Sequence, residues 1–228
     1  MIREDITTVR IFYQIDKFLR EHAKDYTLEE KEFILKNCAW GQKSSLVPDM
    51  LRQIYDELGF LDSERNIYDG FVDLLEENFD IDRNIVEIGG GKIPSLAKKI
   101  ALRQMHGTIT VYDDKLITTD SNLPNLSLKK RRLQADELLN ADMIIGFMPC
   151  DGTQTAIDLA KRNRIDFIIA LCEGSCQNEM PAFMNDDWEN SMIYEARKAV
   201  RDGHLGELKK VKMAKKYQNP YPVIYNQR

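Results

Sequence analysis

Asn84-Ile85-Val86-Glu87-Ile88-Gly89-Gly90-Gly91-Lys92-Ile93-Pro94 is the stretch on which the fold turns. A short apolar run passes into three glycines, and Pro94 then opens a helical pattern with Leu96, Ala97, Ile100 and Ala101 on one face. Pro is suited to the first turn of a helix because its missing N–H would have no intrahelical partner there. Glycines at such a strand-to-helix turn let the backbone approach a ligand that a Cβ would hold off, and the helix N-terminus supplies free N–H groups. The segment reads as a strand, a nucleotide-sized seat and a helix. A plain tight turn is the simpler reading of the same glycines, since an isolated glycine motif is weak by itself.

Outward from this point the chain divides near residue 80. Downstream, short apolar runs recur at Ile85 to Ile88, Thr108 to Tyr112, Leu126 to Leu133, Met143 to Met148 and Phe167 to Leu171, separated by stretches read as helical. Strands alternating with helices predict a parallel sheet covered on both faces, because parallel neighbours need long crossovers. After a helix on Trp188, Met192, Ala196, Ala199 and Val200, two further runs, Leu208 to Ala214 and Val223 to Tyr225, predict a closing antiparallel hairpin. Upstream, Ile11, Ile15, Phe18 and Leu19, and then Tyr68, Phe71, Val72, Leu75 and Phe79, fall at helical spacing. Between them Pro48 opens a helix with Leu51, Ile54, Tyr55 and Leu58 inward, and Gly59 is placed to end it. The expected architecture is α/β: a helical N-terminal subdomain over 1–80, then a Rossmann-like, doubly wound, mostly parallel seven-stranded sheet over 81–228.

Bulk properties narrow the function classes. With 228 residues, 43% hydrophobic and 30% charged, the chain can bury a substantial core. No apolar run approaches the roughly 20 residues that span a bilayer. The first five residues, Met1-Ile2-Arg3-Glu4-Asp5, are charged where a secretory signal would be basic and then apolar. The reading is a cytoplasmic protein without a membrane partner. A net charge of −5 gives no general pull toward nucleic acid. Cys38, Cys150, Cys172 and Cys176 are too scattered for a disulfide framework and are expected to be reduced thiols.

Spacing sharpens the seat. About 20 residues beyond the glycines, the second strand ends in Asp113-Asp114, where a doubly wound sheet places a carboxylate against ribose hydroxyls. The third ends near Gln134-Ala135-Asp136, where an acid or adjacent backbone could accept the exocyclic amine of adenine. In this the chain resembles the class I S-adenosylmethionine-dependent methyltransferases. Glu87-Ile88-Gly89-Gly90-Gly91 matches their acidic residue and Gly-x-Gly turn, Asp113 their ribose acid and Asp136 their adenine-proximal acid; their seven-stranded sheet also closes with an antiparallel strand. The resemblance covers about residues 81 to 228. It implies S-adenosylmethionine as cofactor, bound by Glu87, Gly89, Gly90, Gly91, Asp113, Asp114 and Asp136 together with Met148 and Pro149 after the fourth strand, and methyl transfer to an acceptor. Ile93 stands where many members have a further glycine. Nicotinamide-dependent dehydrogenases share the first two features, but the last glycine of Gly-x-Gly-x-x-Gly would fall at Pro94.

The fourth strand runs into Pro149-Cys150-Asp151-Gly152-Thr153, at the end of the sheet where open α/β folds bind ligands. The Asn/Asp-Pro-Pro-aromatic motif of amino-group methylation is absent, so the acceptor, whether small molecule, protein or RNA, does not follow. Cys150 and Asp151 are candidate substrate contacts, and so is Trp40, although a tryptophan is as readily a packed anchor. Cys150, Cys172 and Cys176 lack an evident fourth ligand for zinc, and no histidine accompanies Cys150 as a base, so no metal site and no catalytic residue is assigned. Lys129-Lys130-Arg131-Arg132 and the lysines at 209, 210, 212, 215 and 216 could meet phosphates, yet alternating lysines also protect an exposed edge strand. A partner protein that holds the nucleotide, or has lost it, without turnover is the main alternative on such a fold.

Overall fold

The computed structural model describes residues 2, 6–38, 49–61, 66–172, 185–213 and 222–228. Four helices, α1 (Thr8–Glu21), α2 (Leu28–Asn37), α3 (Asp49–Glu57) and α4 (Ile67–Asn78), precede β1 (Asn84–Ile88). Then follow α5 (Ser95–Arg103), β2 (Thr108–Tyr112), β3 (Leu126–Lys129), β4 (Met143–Phe147), α6 (Gly152–Asn163), β5 (Asp166–Ala170), α7 (Asn185–Gly203), β6 (Glu207–Lys212) and β7 (Pro222–Gln227). The strands form one sheet in the order β3-β2-β1-β4-β5-β7-β6. The first five are parallel, and β7 runs antiparallel to both β5 and β6.

Period-two alternation assigns the apolar residues to two faces. Ile85, Ile109, Val111, Ile145 and Phe147 pack under α4 and α5, while Val86, Ile88, Ile144, Phe167 and Ile169 pack under α6 and α7. Both faces being covered, β4 reads as an unbroken apolar run and β1 as one interrupted only by Glu87. α4 shares its core with the sheet, through Tyr68, Phe71, Val72 and Leu75. α1, α2 and α3 enclose a third core of their own, joined from beyond β1 by buried Ile93 and half-buried Ile117. Within this layer Thr27 and Glu30 form a reciprocal capping box on α2. Gly59, at φ +68°, ends α3 as its position in the sequence suggests.

Two connections differ from strict strand–helix alternation: residues 113–125 and 130–142 carry no helix. The first is rich in Asp, Thr, Ser and Asn, and hydroxyl-to-backbone bonds from Leu123 to Ser121 and Asp120 to Thr118 offer its backbone an alternative to a helix. β3 also ends at Lys129, four residues before the apolar run does. Lys130, Arg131 and Arg132 therefore stand beyond the strand, at the ligand-binding end of the sheet.

The closing strand is fastened by Asn226, which is fully buried. Its Oδ1 accepts the Phe167 N–H at 2.7 Å, and its Nδ2 donates to Asp166 Oδ1 at 2.8 Å and Leu205 O at 2.9 Å. Asn226→Ala leaves the Phe167 N–H without this acceptor. We expect a loss of about 1–3 kcal/mol in unfolding free energy, measured by urea denaturation.

Candidate functional site

A cleft opens at the C-terminal ends of β1, β2 and β4, where the strand order reverses between β1 and β4; this is the crevice in which doubly wound sheets bind ligands. Its walls are Ile88, Gly89 and Gly91 after β1, Tyr112 to Lys115 after β2, Arg132 and Leu133 after β3, and Met148 to Gly152 with Thr155 after β4. The structure thus brings together Gly89, Gly91, Asp113, Asp114, Met148, Pro149, Cys150 and Asp151 of the residues expected from the sequence. Glu87 is buried behind the turn, 2% exposed. Gly90 packs so closely on Val111 that a Cβ could not fit. Trp40 and Cys176 lie outside the described residues. Among the described residues no group of three or more His, Cys, Asp or Glu side chains could hold a metal ion.

Asp113 is the best-defined group of the cleft. Its Oδ2 accepts the Gly91 N–H at 2.9 Å and its Oδ1 the Lys115 N–H at 2.7 Å, which fixes the carboxylate plane. Burial raises its pKa above the ordinary aspartate value; the Lys115 and Gly91 N–H bonds work against that shift, and neighbouring Asp114 adds to it.

The opposite wall is a strained loop. Met148 and Cys150 both take left-handed backbone conformations, φ 51° and 53°, on either side of Pro149. Neither is glycine, so each costs about 1–2 kcal/mol, and Met148, which precedes a proline, is further disfavoured in a helical conformation. Bonds from Met148 N to Ala170 O (2.9 Å), Gly152 N to Pro149 O (2.9 Å) and Thr153 N to Cys150 O (3.1 Å) hold the loop in place. Pro149 fits because Gly89 has no side chain: a Cβ there would come within 2.8 Å of Pro149 Cα and Cβ.

Arg132 spans the mouth. Its guanidinium meets Asp114 Oδ2 at 2.7 Å and Asp151 Oδ2 at 2.6 Å, bridging the loops after β2 and β4. Arg131 lies 4.8 Å over the Tyr112 ring and binds Glu137 with two bonds of 2.8 Å. That pairing, with a bond from Gln134 N, pulls the Glu137 carboxyl down to about 2. The early end of β3 thus has a consequence: Leu133 turns inward at 6% exposure, while Asp136 is exposed and is not among the residues that line the cleft. Sequence reasoning did not place Arg132, Tyr112, Leu133 or Lys115 in the cleft; the basic run at 129–132 was the available signal for the first.

Gln53 was also missed. From α3 it reaches the glycine turn, donating Nε2 to Gly90 O at 3.1 Å. Lys92 points the other way, into the helical layer, where it pairs with Glu30 at 3.1 Å, bonds Asp25 O and lies 4.4 Å over the Tyr26 ring. Ile93, Pro94 and Ser95, around the N-terminus of α5, are buried, Ile93 in the apolar core of the helical layer. The lysines at 209 and 210 lie on the edge strand β6 and pair with Glu207 and Glu189.

No family model and no curated protein matches the sequence. Solved structures do match. A SAM-dependent methyltransferase from Aquifex aeolicus is 13% identical at a TM-score of 0.49, covering 76% of this chain and 97% of its own. Human N-acetylserotonin methyltransferase, solved with SAM, is 14% identical at 0.45, covering 97% of this chain and 67% of its own. Precorrin-6y C5,15-methyltransferase from Geobacter metallireducens is 13% identical at 0.44, covering 70% and 87%. The sheet order and the antiparallel β7 of this chain make it a doubly wound, Rossmann-like seven-stranded sheet.

Proposed function

We propose that this cleft binds S-adenosylmethionine and that the chain transfers its methyl group to an acceptor, with the sheet domain as the cofactor-binding unit and the helical N-terminal layer beside it. The observation that carries the reading is Asp113: a carboxylate fixed by two backbone N–H groups, at the end of β2, beside a glycine turn packed so closely on Pro149, Val111 and Gln53 that side chains would not fit. Such a carboxylate accepts ribose hydroxyls. The lining bears three carboxylates, Asp113, Asp114 and Asp151, against two cations, Lys115 and Arg132, an excess that suits a cationic ligand.

A nicotinamide dinucleotide suits the site less well. Its pyrophosphate sits at the N-terminus of the first crossover helix, and here Ile93, Pro94 and Ser95 bury that end. In the proposed arrangement Asp113 takes the ribose, Gly89 and Gly91 allow close backbone approach, and Tyr112 and Leu133 offer apolar surface to the base. Asp136 is too far toward solvent in this structure to be assigned the adenine amine.

When bound, S-adenosylmethionine supplies an already activated methyl on a sulfonium. The chain's part is then to align an acceptor and exclude water. Met148, Pro149 and Cys150 wall the side from which an acceptor would approach, and their strained loop gives that wall a defined shape.

Titration calorimetry with S-adenosylmethionine, S-adenosylhomocysteine and NAD tests the reading. Micromolar binding of the first two alone supports it, binding of NAD alone replaces it with an oxidoreductase, and binding of none refutes it. The Arg132 bridge gives a kinetic corollary. Exposed ion pairs are weak and screened by salt, so added salt should speed S-adenosylhomocysteine association to the parent protein by a few-fold. The same salt series on Arg132→Met should be flat by stopped-flow fluorescence; parallel salt responses would show that the bridge does not gate entry.

A further inference from the structure

The glycine turn is gripped from outside the sheet. Gln53 lies on α3 among Leu51, Ile54 and Tyr55, which are fully buried, and is itself only 6% exposed. Its side-chain amide uses both ends on one short piece of backbone: Nε2 donates to Gly90 O at 3.1 Å, and Oε1 accepts the Ile93 N–H at 3.5 Å. The two bonds bracket Gly91 and Lys92. Gly91 is held from the other side by Asp113, which takes its N–H at 2.9 Å. The approach of Gln53 is possible because residue 91 has no Cβ; one placed there would overlap the Gln53 amide.

Three consecutive glycines have many accessible conformations, and a seat built on them binds well only if something outside selects one. The sheet does not do so alone: within the turn, the Gly89 N–H reaches Tyr112 O, but Gly90 O and Ile93 N go to α3. Lys92 and Ile93 add anchors in the same layer, the first to Glu30 and Tyr26, the second in the apolar core of α1 to α3.

We propose that Gln53 is a positioning residue of the cleft, fixing the glycine turn from the N-terminal helical layer so that Gly91 presents its N–H to Asp113 and its open face to the ligand. The proposal rests on the reading of the cleft as an S-adenosylmethionine site, and it makes the helical layer part of that site's affinity. Gln53 does not line the cleft; it acts through the turn.

The test uses the full chain with Gln53→Met, which keeps length and volume but neither bond, and Gln53→Ala as a second variant. Three quantities are read: hydrogen exchange of the amides from Gly90 to Ile93 against those of β1, the dissociation constant for S-adenosylhomocysteine, and the thermal midpoint. Exchange at the turn should rise at least tenfold while β1 is unchanged, and the ligand should bind at least tenfold more weakly, with the Gln53→Met midpoint within a few degrees of the parent. Unchanged exchange at the turn overturns the proposal even if binding weakens, and unchanged binding overturns it even if exchange rises. If the parent protein binds no S-adenosylhomocysteine, the cofactor reading fails by itself, and the exchange measurement still decides whether Gln53 sets the turn.

Discussion

Gly91→Val should abolish measurable binding of S-adenosylhomocysteine, a loss of at least a thousandfold or about 4 kcal/mol. Two effects act at one atom. The residue stands at φ +72°, a conformation that costs an L-residue about 1–2 kcal/mol, and a β-branched one more. Its Cβ would also occupy the place of the Gln53 amide, so either Gln53 leaves or the turn moves, and both release the Gly91 N–H from Asp113. Gly59→Val separates the two terms, because Gly59 has nearly the same φ, +68°, and nothing within 4 Å of an added Cβ. Both variants should lose stability in urea, while only Gly91→Val loses the ligand. Retained binding in Gly91→Val would mean that the ligand seat lies elsewhere. Equal loss of binding in both would mean that strain alone, felt globally, is responsible.

The contrast between these glycines shows what was legible beforehand. A glycine after four helical-face residues marks a helix end, and three glycines after an apolar strand mark a tight strand-to-helix turn; both readings rest on local chain chemistry, and Gly59 and Gly91 both take the left-handed backbone such turns require. The acid at 113 was legible for a similar reason, since the spacing of successive parallel strands is set by one crossover helix. Gln53 was not legible, because nothing near it in sequence indicates that an amide between buried positions of a short helix will meet Gly90, 37 residues on. Ile93 reads as a departure from a motif, yet its side chain packs in the helical core and ties the turn to it. The third strand illustrates the opposite failure: Leu133 is apolar and buried, which continued the run from Leu126, but it is buried from a loop beyond the strand. Burial pattern alone does not distinguish a strand residue from one that folds back over the sheet end. That shift carried the expected adenine acid, Asp136, out to solvent and brought Arg132 to the mouth of the cleft.

Asp113→Ala should weaken S-adenosylhomocysteine binding about a hundredfold, some 2.7 kcal/mol, while changing folding stability little. An ionised, preoriented carboxylate accepting ribose hydroxyls makes charge-assisted bonds worth about 1.5–3 kcal/mol, and alanine offers none. For folding stability two effects nearly cancel. Losing the carboxylate removes acceptors for the Gly91 and Lys115 N–H groups, but water in the open cleft can replace them. Its loss also removes a charge that burial penalises, as the raised pKa records. The sign of that shift fixes the pH dependence: a carboxyl whose folded-state pKa is raised binds protons more readily in the native than in the unfolded chain. Its ionised form therefore works against folding at neutral pH, and this penalty fades as pH falls through the folded pKa. Ligand affinity runs the other way. Ribose hydroxyls need the ionised acceptor, so the parent protein should hold its ligand fully above that raised pKa and begin to lose it at a pH higher than an ordinary aspartate, near ~3.9, would give. Calorimetric dissociation constants for parent and Asp113→Ala, taken from pH 8 downward, should converge as pH falls. A ratio that stays constant across the series would show that Asp113 does not act as an ionised acceptor, and a ratio near one at pH 8 would remove it from the site altogether.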